Sequence, residues 1–258
     1  MFRYKFIIEY NGGCFELGWQ RQPAGRSVQE TLEKAAEELT KKPVVFQGAG
    51  RTDRGVHAIA QVAHCDLHKT YPLRRLREGM NHYLRGSGCR IRSVEPAKQD
   101  FHARFCAKMK EYLYVISTES RVFEDGLVWF VQPPLDFEIL ATESKKLLGH
   151  HDFSSFRDHS CQSHTPMRTI EEVEVSKDRH RIIFRFRGKS FLHKQIRIMV
   201  GTLVDIAKGR LDDISSIIQS KKRDAAGQTA PGCGLFLKSV EYGDVSNLDD
   251  DLSGLLLF

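Results

Sequence analysis

Apolar residues fall on every second position at the start of the chain. Phe2, Tyr4, Phe6, Ile8 and Tyr10 lie on one side, Arg3, Lys5 and Glu9 on the other. A period of two predicts a half-buried strand over 2–10, closed by Asn11-Gly12-Gly13. Ser27 with Glu30 three residues later reads as a capping box, and Val28, Leu32, Ala35, Ala36 and Leu39 follow at helical spacing. Strands are expected at about 43–47 and 59–67. A helix over about 72–84 shows Leu73, Leu76, Met80 and Tyr83 on one side, and Ile91 and Val94 mark a further strand. The order is β-α-β-β-α-β.

The remainder repeats it. Tyr112, Tyr114 and Ile116 alternate along a strand from about 109 to 118, and Phe137, Leu140, Ala141, Leu147 and Leu148 line a helix. Strands follow at about 169–175 and 181–187. The second sets Ile182, Phe184 and Phe186 against Arg181, Arg185 and Arg187. A long helix over about 191–208, another over about 212–220 and a strand at about 235–242 complete the pattern. Two such units predict an α+β fold: two ferredoxin-like halves, residues 1–105 and 106–258, whose mainly antiparallel sheets carry their helices on one side. Their open edges are placed to join into one saddle. No low-complexity linker separates them, so they are expected to pack closely around a ligand cleft.

Composition narrows the class. The chain has 258 residues, 41% hydrophobic and 28% charged, as in ordinary globular proteins. Its net charge is +6, unevenly spread. Four of the 33 acids (Asp244, Asp249, Asp250 and Asp251) lie in the last fifteen residues, which hold no Lys or Arg. Residues 1–243 thus carry 39 bases against 29 acids. A basic body with an acidic tail suits an anionic partner, foremost nucleic acid. Six scattered cysteines without a C-x-x-C pair argue against a zinc site or a disulfide framework and fit reduced thiols in the cytoplasm. Neither a signal peptide nor an apolar stretch of membrane-spanning length is present, so no membrane association is expected.

Chemistry centres on Gly48-Ala49-Gly50-Arg51-Thr52-Asp53-Arg54-Gly55-Val56-His57-Ala58, between two apolar runs. Its glycines permit a tight turn. Arg51 and Arg54 flank Asp53, and neighbouring positive charge favours an ionised carboxylate, a nucleophile or base offered to something bearing phosphates. Alone, such a turn is ordinary salt-bridge and Asx-turn chemistry. Three other segments could share a site with it: Lys110-Glu111-Tyr112, Phe191-Leu192-His193-Lys194-Gln195-Ile196-Arg197, and Arg223-Asp224-Ala225-Ala226-Gly227-Gln228-Thr229-Ala230-Pro231.

Together these segments resemble the TruA-type tRNA pseudouridine synthases, almost end to end. Gly50-Arg51-Thr52-Asp53-x-Gly55-Val56-His57-Ala58 is similar to that family's signature loop. Gly18-Trp19-Gln20-Arg21-Gln22-Pro23, Ser27-Val28-Gln29, Phe101-His102-Ala103-Arg104-Phe105, Lys110-x-Tyr112-x-Tyr114, His151-Asp152-Phe153-Ser154-Ser155-Phe156, and Ala226-Gly227-x-Thr229-Ala230-Pro231 with Gly234-Leu235 also match in order. Departures are Arg54 where alanine is usual, the methionine lost from the segment ending in Arg197, one extra residue between Gly12 and Gly18, and Leu84-Arg85 for Leu-Pro.

The resemblance implies an isomerase that converts uridine to pseudouridine in tRNA, at positions 38 to 40 of the anticodon stem-loop, by turning the base out of its helix. It implies Asp53 as the catalytic carboxylate and Arg197 as its ion-pair partner. Tyr112 would lie against the flipped uracil, with a hydroxyl that helps remove the C5 proton. Arg51 would also meet substrate, and Arg54, His57, Lys110 and the basic strand faces would meet RNA in a cleft on the sheet face away from the helices. A homodimer is implied, with no metal and no cofactor. Two rivals are an inert RNA-binding protein on the same scaffold and a hydrolase using Asp53 and His57, for which no oxyanion-donor motif is visible.

Overall fold

Tyr4, Phe6, Ile8 and Tyr10 share one face of strand β1 (Phe2–Tyr10), and all four are buried. A computed structural model describes residues 1–243 of the chain; the acidic tail lies outside the described residues. Helix α1 (Val28–Thr40) follows, its N-terminus capped by Ser27, whose side chain accepts from the Glu30 amide. Then come β2 (Gln47–Gly48), β3 (His57–Leu67), α2 (Leu73–Tyr83) and β4 (Cys89–Pro96). The second unit holds β5 (Met109–Ser117), β6 (Trp129–Phe130), α3 (Phe137–Lys145), β7 (Gly149–Asp152), β8 (Met167–Ile170), β9 (Glu172–Asp178), β10 (Arg181–Gly188), α4 (Gln195–Ala207), α5 (Ile214–Ser220) and β11 (Leu235–Glu241).

One nine-stranded sheet runs β4-β1-β3-β11-β5-β10-β9, with β2 paired to β3 and β6 to β5. Most pairings are antiparallel. The seam between the units is a short parallel contact of β11 with β3, Phe236 opposite His57 and Leu237 opposite Ala58. Leu32 of α1 and Leu76 and Met80 of α2 join Phe6 and Ile8 in the main core, as do Leu140 of α3 and Met199, Val200 and Leu203 of α4 with Tyr114 and Phe184. A small second cluster (Ile59, Leu113, Val115, Val128 and Phe236) lies on the other face of the central strands.

Four local expectations change. The strand at 43–47 shrinks to β2, because side chains of α1 take both backbone groups of Phe46: its amide donates to Glu33 and its carbonyl accepts from Gln29. The strand at 169–175 divides at Glu171, whose amide turns to Arg187, so that β8 pairs with β7 in a separate two-stranded sheet. The helix expected from 191 begins at Gln195, since Lys194 sits in the left-handed region at φ 59° and the Gln195 side chain accepts from the Leu192 amide. The basic strand faces are not free. Arg185 meets Glu111, Glu172 and Glu174, Arg187 meets Glu172 and Glu241, and Arg181 is buried against Glu124.

Candidate active site

Asp53 lies in the loop that enters β3 at the seam, and the loop is held almost residue by residue. Ala49 donates its amide to Val62 and accepts at its carbonyl from the Lys110 ammonium (2.7 Å). The Gly50 carbonyl accepts from Gln61 (2.9 Å), and the Thr52 carbonyl from the Trp19 amide (3.0 Å). The Thr52 hydroxyl meets that of Tyr10 at 2.8 Å. Gly18 is a glycine because a Cβ there would strike the Thr52 carbonyl, and Gly12 would likewise strike that of Val56. Such anchoring fixes the direction in which the Asp53 carboxylate leaves the loop.

That direction is across the seam. Asp53 Oδ2 accepts from Arg197 Nη1 at 2.7 Å, and Oδ1 lies 3.1 Å from His193 Nε2. Arg197 is fixed in turn, its Nε donating to the Ala230 carbonyl at 2.8 Å while the Ala230 amide donates to the Arg197 carbonyl. The Asp53 side chain stays 23% exposed and that of Arg197 14%, so the pair is partly buried but still open to solvent. A charge-assisted contact of this kind is far stronger than one at an open surface.

Tyr112 on β5 lies beside the loop, its hydroxyl next to Gly50 and its ring edge-on to Phe191 at 5.3 Å. Burial, reinforced by the charge of Asp53, pushes its hydroxyl well above the ordinary tyrosine range. The phenol therefore keeps its proton at neutral pH. These groups gather on the helix-bearing face, where Tyr112 and Tyr114 share a core with α4. The opposite face of the second-half strands carries the ion pairs of Arg185 and Arg187.

The flanking arginines fall elsewhere than expected. Arg51 and Arg54 are exposed, and among the described residues neither pairs with Asp53. Adjacent residues of a tight turn point in different directions, so the cation beside Asp53 comes from 144 positions away. His57, expected at RNA, points inward: its Nδ1 accepts from the Gly12 amide (3.1 Å), its Nε2 faces the Cys233 carbonyl (3.0 Å), and its ring stacks on Phe236. Those partners fix a neutral Nε2–H ring, and burial lowers its pKa accordingly. Lys110 is turned into the loop as well, and burial pushes it down to about 8. In both, the polar atoms bond within the protein.

Sequence reasoning missed His193 as a partner of Asp53. A signal was present, since His193 and Arg197 are four apart in the segment that leads into α4. The spacing acquires meaning only once α4 is known to end at the seam.

Comparison with known proteins gives the family. The family model described as tRNA pseudouridine synthase matches residues 7–106 and 144–243. Proteins named tRNA pseudouridine synthase A are similar along nearly the whole chain. That of Paramagnetospirillum magneticum is 41% identical over 93% of this chain and 95% of its own. That of Nitrobacter winogradskyi is 42% identical over the same shares, and that of Wolbachia pipientis wMel is 41% identical over 93% of this chain and 100% of its own. A chain in the solved structure of a Cbf5-Nop10-Gar1 complex is only distantly alike (TM-score 0.35, 11% identity, 78% of this chain and 44% of that one). The family model and these relatives place the chain among RNA-modifying isomerases. The chain belongs to the tRNA pseudouridine synthase family, enzymes that isomerise uridine to pseudouridine in tRNA.

Proposed function

We propose that this chain isomerises uridine at positions 38 to 40 of the tRNA anticodon stem-loop, with Asp53 as the reacting carboxylate. In the reaction the N1–C1′ bond breaks, a C5–C1′ bond forms, C5 loses a proton and N1 gains one. Atoms balance without oxidant, reductant or water. The observation that carries the assignment is the Asp53 carboxylate held between Arg197 and His193, with the Tyr112 hydroxyl next to Gly50 of the same loop. A fixed ionic group in a part-buried setting acts on developing charge without reorganising first.

A uridine in a stem is out of reach of that carboxylate, so the base is swung out at a cost of about a few kcal/mol. Tyr112 stacks on the extruded uracil, a sequence-tolerant contact, and its protonated hydroxyl is a donor in the resting enzyme. Arg51 and Arg54, exposed at the turn tip, take phosphates next to the target. The working form is a cytoplasmic homodimer that receives the stem-loop across both subunits, with no metal or cofactor taking part. No described helix is long and apolar enough to cross a membrane.

Incubation with unmodified tRNA transcripts, followed by carbodiimide treatment and mild alkali, tests the reading. Adducts that survive the alkali mark pseudouridine and stop reverse transcription one residue away. The proposal expects stops at 38, 39 or 40 in transcripts carrying uridine there, and none when those uridines are replaced by cytidine. Stops elsewhere alone, or released uracil, would contradict it.

A further inference from the structure

His193 is linked on both sides. Its Nε2 faces Asp53, while its Nδ1 lies 3.1 Å from Ser160 Oγ and 3.6 Å from Asp158 Oδ1. We propose that His193 is a positioning residue for Asp53, and that Asp158 with Ser160 sets the orientation of its ring. The proposal rests on the reading of Asp53 as the reacting carboxylate.

The partners dictate where protons sit. Ser160 donates its hydroxyl to Asp158 Oδ1 at 2.5 Å, which leaves its oxygen facing the ring as an acceptor. An ionised Asp53 is acceptor-only. Satisfying both contacts at once takes a proton on each ring nitrogen. With one proton fewer, the ring keeps Asp53 only if Ser160 swings its hydroxyl from Asp158 to Nδ1. Asp158 is built to stay charged. Desolvation works against its ionised form, but hydrogen bonds from Lys194 and Ser160 outweigh it and hold the carboxyl well below the usual range.

The backbone is arranged to the same end. Asp158 donates its amide to the His193 carbonyl (3.3 Å), and Lys194 donates its ammonium to Asp158 Oδ2 (2.8 Å). Lys194 takes the left-handed conformation (φ 59°), a strained choice for a residue with a Cβ. That bend lets His193 and Arg197 reach one carboxylate from consecutive turns. The charged groups facing the ring are Asp53 and Asp158 as acids and Lys194 and Arg197 as bases. The Cys161 thiol also belongs to this surround, its amide donating to the Asp158 carbonyl.

The test compares His193→Gln, His193→Phe and Asp158→Asn with wild type, and Asp53→Asn as control. Single-turnover rate and tRNA dissociation constant are measured from about pH 5.5 to pH 9, which spans histidine titration. His193 is 37% exposed at its side chain, and a melting curve verifies that each variant folds. Misplacing a reacting group by about an ångström costs up to about 100-fold. His193→Phe is expected to fall by that order, His193→Gln by about 10-fold and Asp158→Asn by about 3-fold, with tRNA affinity within about 2-fold throughout. The pH profile of the rate is expected to differ between His193→Gln and wild type. Wild-type rates in both His193 variants, or losses that track tRNA affinity with an unchanged pH profile, overturn the proposal. An active Asp53→Asn overturns the underlying reading instead; an inactive Asp53→Asn beside wild-type His193 variants refutes only the role of His193.

Discussion

The same connection is made twice in this fold, and the two versions have opposite characters. In the second unit, β9 is a full strand of seven residues, joined to β10 by the two-residue turn Arg179–His180. In the first unit β2 is two residues long, and the chain from Ala49 to Val56 forms the loop that carries Asp53. What the first unit gives up in ladder hydrogen bonds it replaces with bonds to the loop from Gln61, Lys110, Trp19 and Tyr10. The lesson is that repetition of the fold leaves one copy of a turn free to become a rigid presenter of a side chain, while the other simply closes a hairpin.

That contrast can be broken most forcefully at Arg197. Removing its guanidinium leaves the Asp53 carboxylate half-buried and held only by His193, and loss of one partner from a buried pair costs about 3–5 kcal/mol. Arg197→Met is therefore expected to slow pseudouridine formation in single turnover by about 100-fold or more; a rate within about 3-fold of wild type would remove the clamp from the account. Next comes Gly18→Ala, whose added methyl meets the Thr52 carbonyl. Overpacking costs about 1–3 kcal/mol, to be read from denaturant unfolding, and activity should fall with it because the shifted loop carries Asp53.

The second-unit turn supplies the counterpart. Arg179 holds φ at 54°, a conformation glycine adopts without strain, so Arg179→Gly should change stability by less than about 1 kcal/mol and activity by less than about 2-fold. A large loss of activity there would mean that both connections serve the site. The smallest effect concerns His64, which lies opposite Gln47 of β2. Burial, with the charges of His102 and Arg3, lowers its pKa to about 4. The unfolded value is higher, about 6.5, so between these values the unfolded chain binds more protons. The stabilisation is whole above about pH 6.5 and is lost as pH falls towards about 4. Replacing His64 by Gln should flatten the decline of melting temperature across that window.

Much of the architecture was legible because short-range patterns carried it. Alternation located β1, β5 and β10, and the cap at Ser27 located α1. What escaped depended on partners far along the chain. Phe46 reads as strand until Glu33 and Gln29 claim its backbone, and Arg185 and Arg187 read as a phosphate-binding face until their acids arrive from β5, β9 and β11. The site behaved alike. Asp53, Arg197 and Tyr112 were nameable from resemblance, whereas the surroundings of Asp53 were read from its neighbours in sequence. Geometry puts Arg197 on Asp53, as the resemblance implied, adds His193 to it, leaves Arg51 and Arg54 exposed, and turns His57 and Lys110 inward.

The account turns on one carboxylate, and Asp53→Asn is nearly isosteric. Single-turnover conversion of an unmodified tRNA transcript, scored by alkali-resistant carbodiimide adducts beside a direct binding measurement, isolates it. The expected result is no detectable pseudouridine with a tRNA dissociation constant within about 3-fold of wild type, since uniform substrate binding does not depend on a group that acts in the transition state. Conversion by Asp53→Asn at a rate comparable to wild type would contradict the account at its centre.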